Sequence, residues 1–278
     1  MSFSILNNIS ALEAQNSLNT TQANLQKTLF QLSSGSRINS GADDAAGLAI
    51  ANGLEANITA LNQSANNAND GVGALQVADG ALSQVTTLLN RAVTLATEAS
   101  TGTVSSSQRG ALDAEFTQIK AEIDRIGSTT TFNGTSVFTA TTTSIFLSDA
   151  SSSSTIGVTV GALASANITN GGSTANISGD DLTTDTTAQT ALTDIDTAIA
   201  NVAGIRGNIG ATINQLQSSA NVIGTQVQNL TAAEDTITAA NIPQQVTNLS
   251  QYSILNQTGI SALAQANSQE QSVLKLLQ

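Results

Sequence analysis

Between residues 54 and 99, apolar side chains recur at every seventh position: Leu54, Leu61, Ala68, Leu75, Leu82, Leu89 and Ala96. Ile58, Ala65, Val72, Ala78, Val85 and Ala92 fill the alternate position of the same stripe. About 45 helical residues span roughly 70 Å and cannot bury such a seam on themselves, so the pattern requires a partner helix. A second seam answers it, with Ile195, Val202, Ile209, Leu216, Ile223, Leu230 and Ile237 at the same interval and Leu192, Ile199, Ile213, Ala220 and Val227 completing the face. Two long helices of an ordinary bundle would show the same spacing, but the length of the repeat favours a coiled-coil pair.

The remaining pattern fills in around these seams. Residues 3–32 carry Ile5, Ile9, Leu12, Leu18, Leu25, Leu29 and Leu32 on an otherwise Asn-, Gln-, Ser- and Thr-rich segment, which predicts a first helix. Almost no charge decorates it, a composition suited to packing against other subunits rather than to standing alone in water. Gly35 and Gly41 then punctuate the chain, and Asp43 and Asp44 place negative charge where the next helix begins. That helix should run over 43–100, with Gly71, Gly73 and Gly80 marking close backbone packing, and a third over 105–127 with Leu112, Phe116, Ile119, Ile123 and Ile126 on one face. From 128 to 185 the period shifts towards two, and Asn133-Gly134 is the strongest local signal for a two-residue hairpin turn. Ile156, Val158 and Val160 alternate as a strand, and Asn170-Gly171-Gly172 reads as a turn. Pro243 separates the second seam from a last helix that passes Ile260, Leu263 and Val273 to Leu277.

The expected fold is therefore mainly α: an elongated, antiparallel, coiled-coil-like helical bundle with a small β-hairpin-rich insertion. Its predicted divisions are an inner helix at 1–34, a connector at 35–42, the first coiled-coil part at 43–127, a β-rich outer region at 128–185, the second coiled-coil part at 186–237, a connector at 238–242 and a last inner helix at 243–278. The mirrored order places the first and last helices side by side.

Composition then narrows the chemistry. Hydrophobic residues make up 40% of the chain but aromatics only 3%, so burial must come from Leu, Ile, Val and Ala in thin helical seams. A net charge of −12 with eight Lys and Arg lacks the electrostatic footprint of a nucleic-acid or polybasic membrane binder. Cys and His are both absent, which removes disulfides, thiol nucleophiles, Ser-His or Cys-His pairs and the common zinc and haem ligand sets. Asp43 and Asp44 could form an acid/base couple, but adjacent carboxylates at a helix start read as capping residues. No phosphate-cradling glycine loop appears, and Gly71-Val72-Gly73 lacks the third glycine of a dinucleotide fingerprint. The chain is thus expected not to be an enzyme and to hold no cofactor or metal. No apolar run is long enough to insert in a membrane, and the amino terminus lacks the pattern of a cleaved signal peptide.

Several stretches carry a family resemblance. Residues 32–50, reading Leu-Ser-Ser-Gly-Ser-Arg-Ile-Asn-Ser-Gly-Ala-Asp-Asp-Ala-Ala-Gly-Leu-Ala-Ile, are very similar to the segment that marks bacterial flagellins. Residues 109–126 with Thr131-Phe132-Asn133-Gly134, then 191–199 with Val202, Arg206 and Gly210-Ala211, and finally 260–267 with 273–277, resemble further landmarks of that family. The resemblance covers about 1–138 and 186–278, and implies a short flagellin with a minimal variable outer region. It implies a structural subunit, secreted by type III export without a cleaved signal peptide, that polymerises into the extracellular flagellar filament for swimming motility. The implied partners are further copies in a helical homopolymer, an export chaperone, and cap and hook-associated proteins. Ile5, Ile9, Leu12, Leu255, Leu263, Val273, Leu274 and Leu277 are the expected assembly and chaperone contacts on the terminal helices. The family's patch for a vertebrate innate receptor matches at Arg91, Leu95 and Glu115, although Val93-Thr94 stand where many recognised members have Arg-Glu. Surface Ser and Thr over 139–187 are candidate glycosylation acceptors, as in some members. The alternatives are a hook-filament junction protein, which shares the terminal-helix plan, and a surface adhesin or polysaccharide-binding protein. The latter would need aromatic platforms, and the chain has one Tyr and no Trp.

Overall fold

The computed structural model describes residues 8–149, 154–170 and 172–276, with side chains through 269. Helices α1 (Ile9–Ser34), α2 (Ala45–Ala99) and α3 (Ser106–Thr129) precede seven short strands, and α4 (Asp185–Thr238) and α5 (Ile242–Leu276) follow them. Contacts divide the chain into two compact units: unit 1 comprises Met1–Ala56 with Asn229–Gln278, and unit 2 comprises Asn57–Gln228. The boundaries between the units fall inside α2 and α4.

Unit 2 owns a continuous hydrophobic core. Leu75, Leu82, Leu89 and Leu95 of α2, Phe116 and Ile123 of α3, and Ile195 and Leu216 of α4 are all essentially inaccessible to solvent. Each such side chain gains about 1.5–3 kcal/mol on burial. The two long helices run antiparallel here: Arg206 of α4 pairs with Asp79 of α2 at 2.7 Å, and Gly71 of α2 lies against Leu216 of α4. A Cβ at Gly71 would overlap Ile145, so the close approach anticipated at this glycine is made to a strand side chain as well as to α4.

Helix ends in unit 2 are closed by side chains from the following segments. Ser105 and Gln108 form a reciprocal capping box at the start of α3. The Arg109 guanidinium donates to Ala99 O at 2.8 Å and Thr101 O at 2.9 Å, satisfying carbonyls that the end of α2 leaves open.

Among the described residues the insertion forms three small antiparallel sheets. β1 (Thr131–Phe132) and β2 (Thr135–Ser136) flank Asn133 at φ 50° and Gly134 at φ 76°, a two-residue turn with both central residues left-handed. β3 (Thr143–Phe146) pairs with β4 (Thr155–Val158), and β6 (Asn167–Asn170) is paired on both sides, with β5 (Leu163–Ala164) and β7 (Ser173–Ala175). Val158, Leu163, Ile168 and Ala175 turn inward to join the helical core. The buried Asn201 of α4 donates from Nδ2 to Ile168 O at 2.8 Å and Ser173 O at 3.2 Å, fastening the three-stranded sheet. Between β7 and α4, Lys120 reaches Asp180 O at 2.5 Å while Asp113 accepts from the Leu182 amide at 2.8 Å, docking that loop on α3.

Unit 1 is built differently. α1 and α5 lie antiparallel, with Asn8 Nδ2 donating to Ala266 O at 3.2 Å and Leu18 packed on Gly259. Its buried residues are few: Thr28, Gln31, Ile38 and Ala51, together with Gly47.

Candidate functional site

No cleft among the described residues gathers a reactive constellation. Among the described residues there is no group of three or more His, Cys, Asp or Glu placed to hold a metal ion, and no helix is long and apolar enough to cross a membrane. What stands out is an apolar surface on unit 1. Ile9, Leu12 and Phe30 of α1 are 69%, 59% and 63% exposed, and Ile254, Leu255 and Ile260 of α5 are 63%, 43% and 53% exposed. Among the described residues of unit 2, which has far more apolar residues, the large apolar side chains left exposed are Val77, Phe146 and Val222.

The sequence explains why this face stays uncovered. In α1 the half-buried positions follow a 3–4 spacing through Ala11, Ala14, Leu18, Thr21 and Leu25, and that stripe is taken up by α5. Ile9, Leu12 and Phe30 fall off it. In α5 the stripe is Leu249, Tyr252, Asn256, Gly259, Leu263 and Ala266, which leaves Ile254, Leu255 and Ile260 outside. Two helices packed only on each other can each bury one stripe, and these carry apolar residues around more of their circumference. The face is also nearly uncharged: α1 has only Glu13 and Lys27, and α5 has no Asp, Glu, Lys or Arg from Ile242 to Gln269. Large apolar side chains left exposed in this number on uncharged helices point to an interaction surface.

At the base of the helix pair the two connectors join. Ser36 and Ala239 form an antiparallel bridge; the Arg37 amide donates to Thr238 O at 2.6 Å and the Ala240 amide to Gly35 O at 2.9 Å. Gly35 reverses the chain at φ 70° and closes α1. Ser36 Oγ donates to Thr238 O at 3.1 Å and Arg37 Nη2 to Ile237 O at 2.8 Å, so the open carbonyls of α4 are capped from about 200 residues away. Gln31, buried on α1, donates from Nε2 to Arg37 O at 2.7 Å. Asp43 accepts from Lys27 at 2.6 Å and from Asn39 and Ser40, and the Lys27 bond holds its carboxyl below the usual carboxylate range. Asp44 accepts from the Gly47 amide at 2.8 Å and caps α2. The adjacent pair thus does two jobs, one tying the connector to α1 and the other starting α2. Only the capping role is written in the sequence; the ladder between connectors is not.

The predicted seam residues lie as follows. Leu61, Leu75, Leu82, Leu89, Ile195, Val202, Ile209, Leu216 and Ile223 are buried in unit 2, while Leu54 and Leu230, both in unit 1, are half-buried. Of the terminal contacts, Ile9, Leu12 and Leu255 are exposed and Leu263 is half-buried against α1. Ile5 and Leu277 lie outside the described residues, and Val273 and Leu274 outside the described side chains. The residues brought from receptor resemblance are split by the packing: Arg91 and Glu115 are exposed and bond each other at 2.6 Å, whereas Leu95 is wholly buried. That contact lowers the Glu115 carboxyl and raises the Arg91 guanidinium from their ordinary values. Phe30 and Ile254 belong to the exposed face but escape a search for heptads, since their signal is apolarity off the stripe.

Comparison with known proteins bears on what such a surface serves. Residues 5–143 match the family model described as the bacterial flagellin N-terminal helical region, and 192–277 the one for the C-terminal helical region. The chain is 43% identical to Flagellin A of Vibrio anguillarum over 134 residues, which is 48% of this chain and 35% of that protein. It is 41% identical to a flagellin of Xenorhabdus nematophila over 167 residues, 59% of this chain and 53% of that one. The matched parts therefore span between a third and about half of those relatives. A solved structure from Vibrio parahaemolyticus, described as a flagellar hook-associated protein, is 16% identical with a TM-score of 0.57, covering 71% of this chain and all of that one, a likeness of fold alone.

Proposed function

The chain belongs to the bacterial flagellin family, and we propose that it is a non-enzymatic structural subunit that polymerises with further copies of itself into a flagellar filament outside the cell. The observation that carries this reading is the uncharged apolar face of α1 and α5, which the chain cannot cover by itself. In the polymer each terminal helix pair meets those of neighbouring copies, and burial of Ile9, Leu12, Phe30 and Ile254 contributes about 1.5–3 kcal/mol per side chain against the ordering cost of association. Unit 2 supplies a rigid body that is already folded before assembly.

The finer parts of the reading follow from the family. An export chaperone would mask the α5 face at Leu255 and Leu263 until secretion, and cap and hook-associated proteins would meet the same terminal surface. Glycans would attach, if anywhere, to exposed hydroxyls of 139–187, which include Thr141, Thr155 and Thr174. A receptor approaching Arg91 and Glu115 would compete with the bond between them.

The test is electron microscopy of the purified full chain after addition of a salting-out agent, beside a chain lacking 1–32 and 243–278. Long uniform filaments from the full chain alone are the expected result. A full chain that stays monomeric and cannot elongate seeds of an established filament would displace this reading in favour of the junction protein or the surface adhesin.

A further inference from the structure

We propose that the hollow between α2 and the first two hairpins of the insertion is a binding site for a small organic cation, an ammonium ion carried on a compact apolar body. The hollow has a volume of about 500 Å³, within the range of about 300–1,000 Å³ usual for sites that hold one small molecule. Two glycines of α2 let its walls come close. A Cβ at Gly71 would overlap Ile145 of β3, and one at Gly73 would stand 3.5 Å from Phe132 Cε2 of β1; both of these side chains line the hollow. Leu75, Val158 and Val160 line it from the buried core. On the β3 side the backbone is tied to the helix, with Ser64 Oγ donating to Ser148 O at 2.7 Å and Asn67 Nδ2 to Phe146 O at 3.2 Å. The shape therefore belongs to the folded body of unit 2 and is independent of assembly.

The lining selects the ligand. Aliphatic side chains and the phenyl rings of Phe132 and Phe146 suit an apolar body, and Phe146 is 41% exposed. Among the described residues that line the hollow, only Asp70 is charged. It is exposed and makes no hydrogen bond or ion pair within the chain. Unit 2 has no cation to spare for it. Arg91, Arg125 and Arg206 are paired with Glu115, Glu122 and Asp79, while Arg109 and Lys120 donate to main-chain carbonyls. Lys120 also lies 4.7 Å from the centre of the Phe116 ring, so the chain's own cation–ring contact is made elsewhere. A cation arriving from outside meets an unpaired carboxylate beside two aromatic rings, both of which attract it. An anion of the same shape meets the Asp70 carboxylate and no compensating positive charge.

Three probes of one shape and different charge test this: protonated phenethylamine, phenethyl alcohol and phenylacetate, each titrated into the full chain and followed by amide NMR. Protonated phenethylamine should bind about fivefold more tightly than the alcohol, and phenylacetate more weakly than either. The shifts should concentrate at Gly71, Gly73, Phe132 and Ile145. Asp70→Asn should bring the amine down to the affinity of the alcohol and leave the alcohol unchanged. Phe146→Leu, which keeps apolar surface but removes a ring, should weaken the amine more than the alcohol. Both replaced side chains are exposed, so neither change disturbs the core. Equal affinity of the natural chain for all three probes would overturn the proposal, as would an Asp70→Asn chain that binds the amine undiminished. The absence of shifts at the hollow with millimolar amine would overturn it too.

Discussion

Units 1 and 2 draw on the same few residue types, arranged on long helices at the same spacing, and end in opposite physical conditions. In unit 2 the seams of α2 and α4 are joined by a third helix and by inward strand residues such as Ile168, so each apolar stripe is covered on more than one side. In unit 1 two helices meet along one stripe each, and the apolar residues outside those stripes stay in solvent. The lesson concerns layers: helical amphipathicity states what must be buried, but the number of neighbouring elements decides whether the chain can bury it alone. Unit 1 leaves apolar residues in solvent because it has one layer too few.

The contrast can be broken most sharply with one chemical change in two places. Leu82→Ala in unit 2 should cost about 2–5 kcal/mol in urea unfolding followed by circular dichroism, the range for a fully buried leucine. Leu12→Ala in unit 1 should cost no more than about 0.5 kcal/mol in the monomer. Leu12→Asp, equally mild for the monomer, should abolish elongation in a light-scattering assay. Equal stability losses at the two leucines would show that unit 1 has a core of its own.

A smaller effect is expected where unit 2 relies on a buried amide. Asn201→Ala strands two carbonyls of the β5–β7 sheet and should cost about 1–3 kcal/mol, with faster amide exchange confined to Ile168–Ala175. Smaller again is the half-exposed pair of Arg206 with Asp79: Arg206→Ala should cost about 0.2–1 kcal/mol, less at high salt. Identical losses in low and high salt would show that its contribution is packing and not charge.

The smallest effect should depend on pH. Asp180 Oδ2 is buried without a hydrogen-bond partner, and burial, with Asp194 on α4 and Asp181 alongside, pushes its carboxyl above the ordinary value against the opposing pull of Lys120 on α3. The folded state therefore holds this proton more tightly than the unfolded chain does. Its favourable contribution is complete below the unfolded carboxylate range and fades as pH rises through the raised value. Asp180→Asn should thus raise the melting temperature by about 1–2 °C at neutral pH, with the gain vanishing in acid. A gain that persists unchanged in acid would assign it to something other than titration.

Much of unit 2 is legible in the sequence because its information is periodic. The seams of α2 and α4, the stripe of Phe116, Ile119 and Ile123, and the Asn133-Gly134 turn each depend on neighbours within a few residues. Asn201 hides for the converse reason: it is a polar residue standing between Ala198 and Val202 on an apolar stripe, a signal that something must be bonded there but not what. Gly204 is similar, since it admits the Asn170 side chain where a Cβ could not fit. The connector ladder leaves still less trace, because main-chain donors and acceptors are common to every residue and their pairing across some 200 positions is not encoded locally. In the candidate surface, Ile9, Leu12 and Leu255 could be read from apolar spacing, whereas their exposure is a property of the missing third layer.

The bond from Ser36 to Thr238 closes a loop of about 200 residues. For a featureless chain, bringing such distant points together carries an entropy cost that grows with the logarithm of the separation. Here α2 and α4 run antiparallel through unit 2, so once that unit has folded the chain leaves it at the same end at which it entered. Most of the closure is then already achieved, and the two connectors meet at high effective concentration. The topology thus makes the ends of the chain cheapest to join after the interior of the sequence has folded.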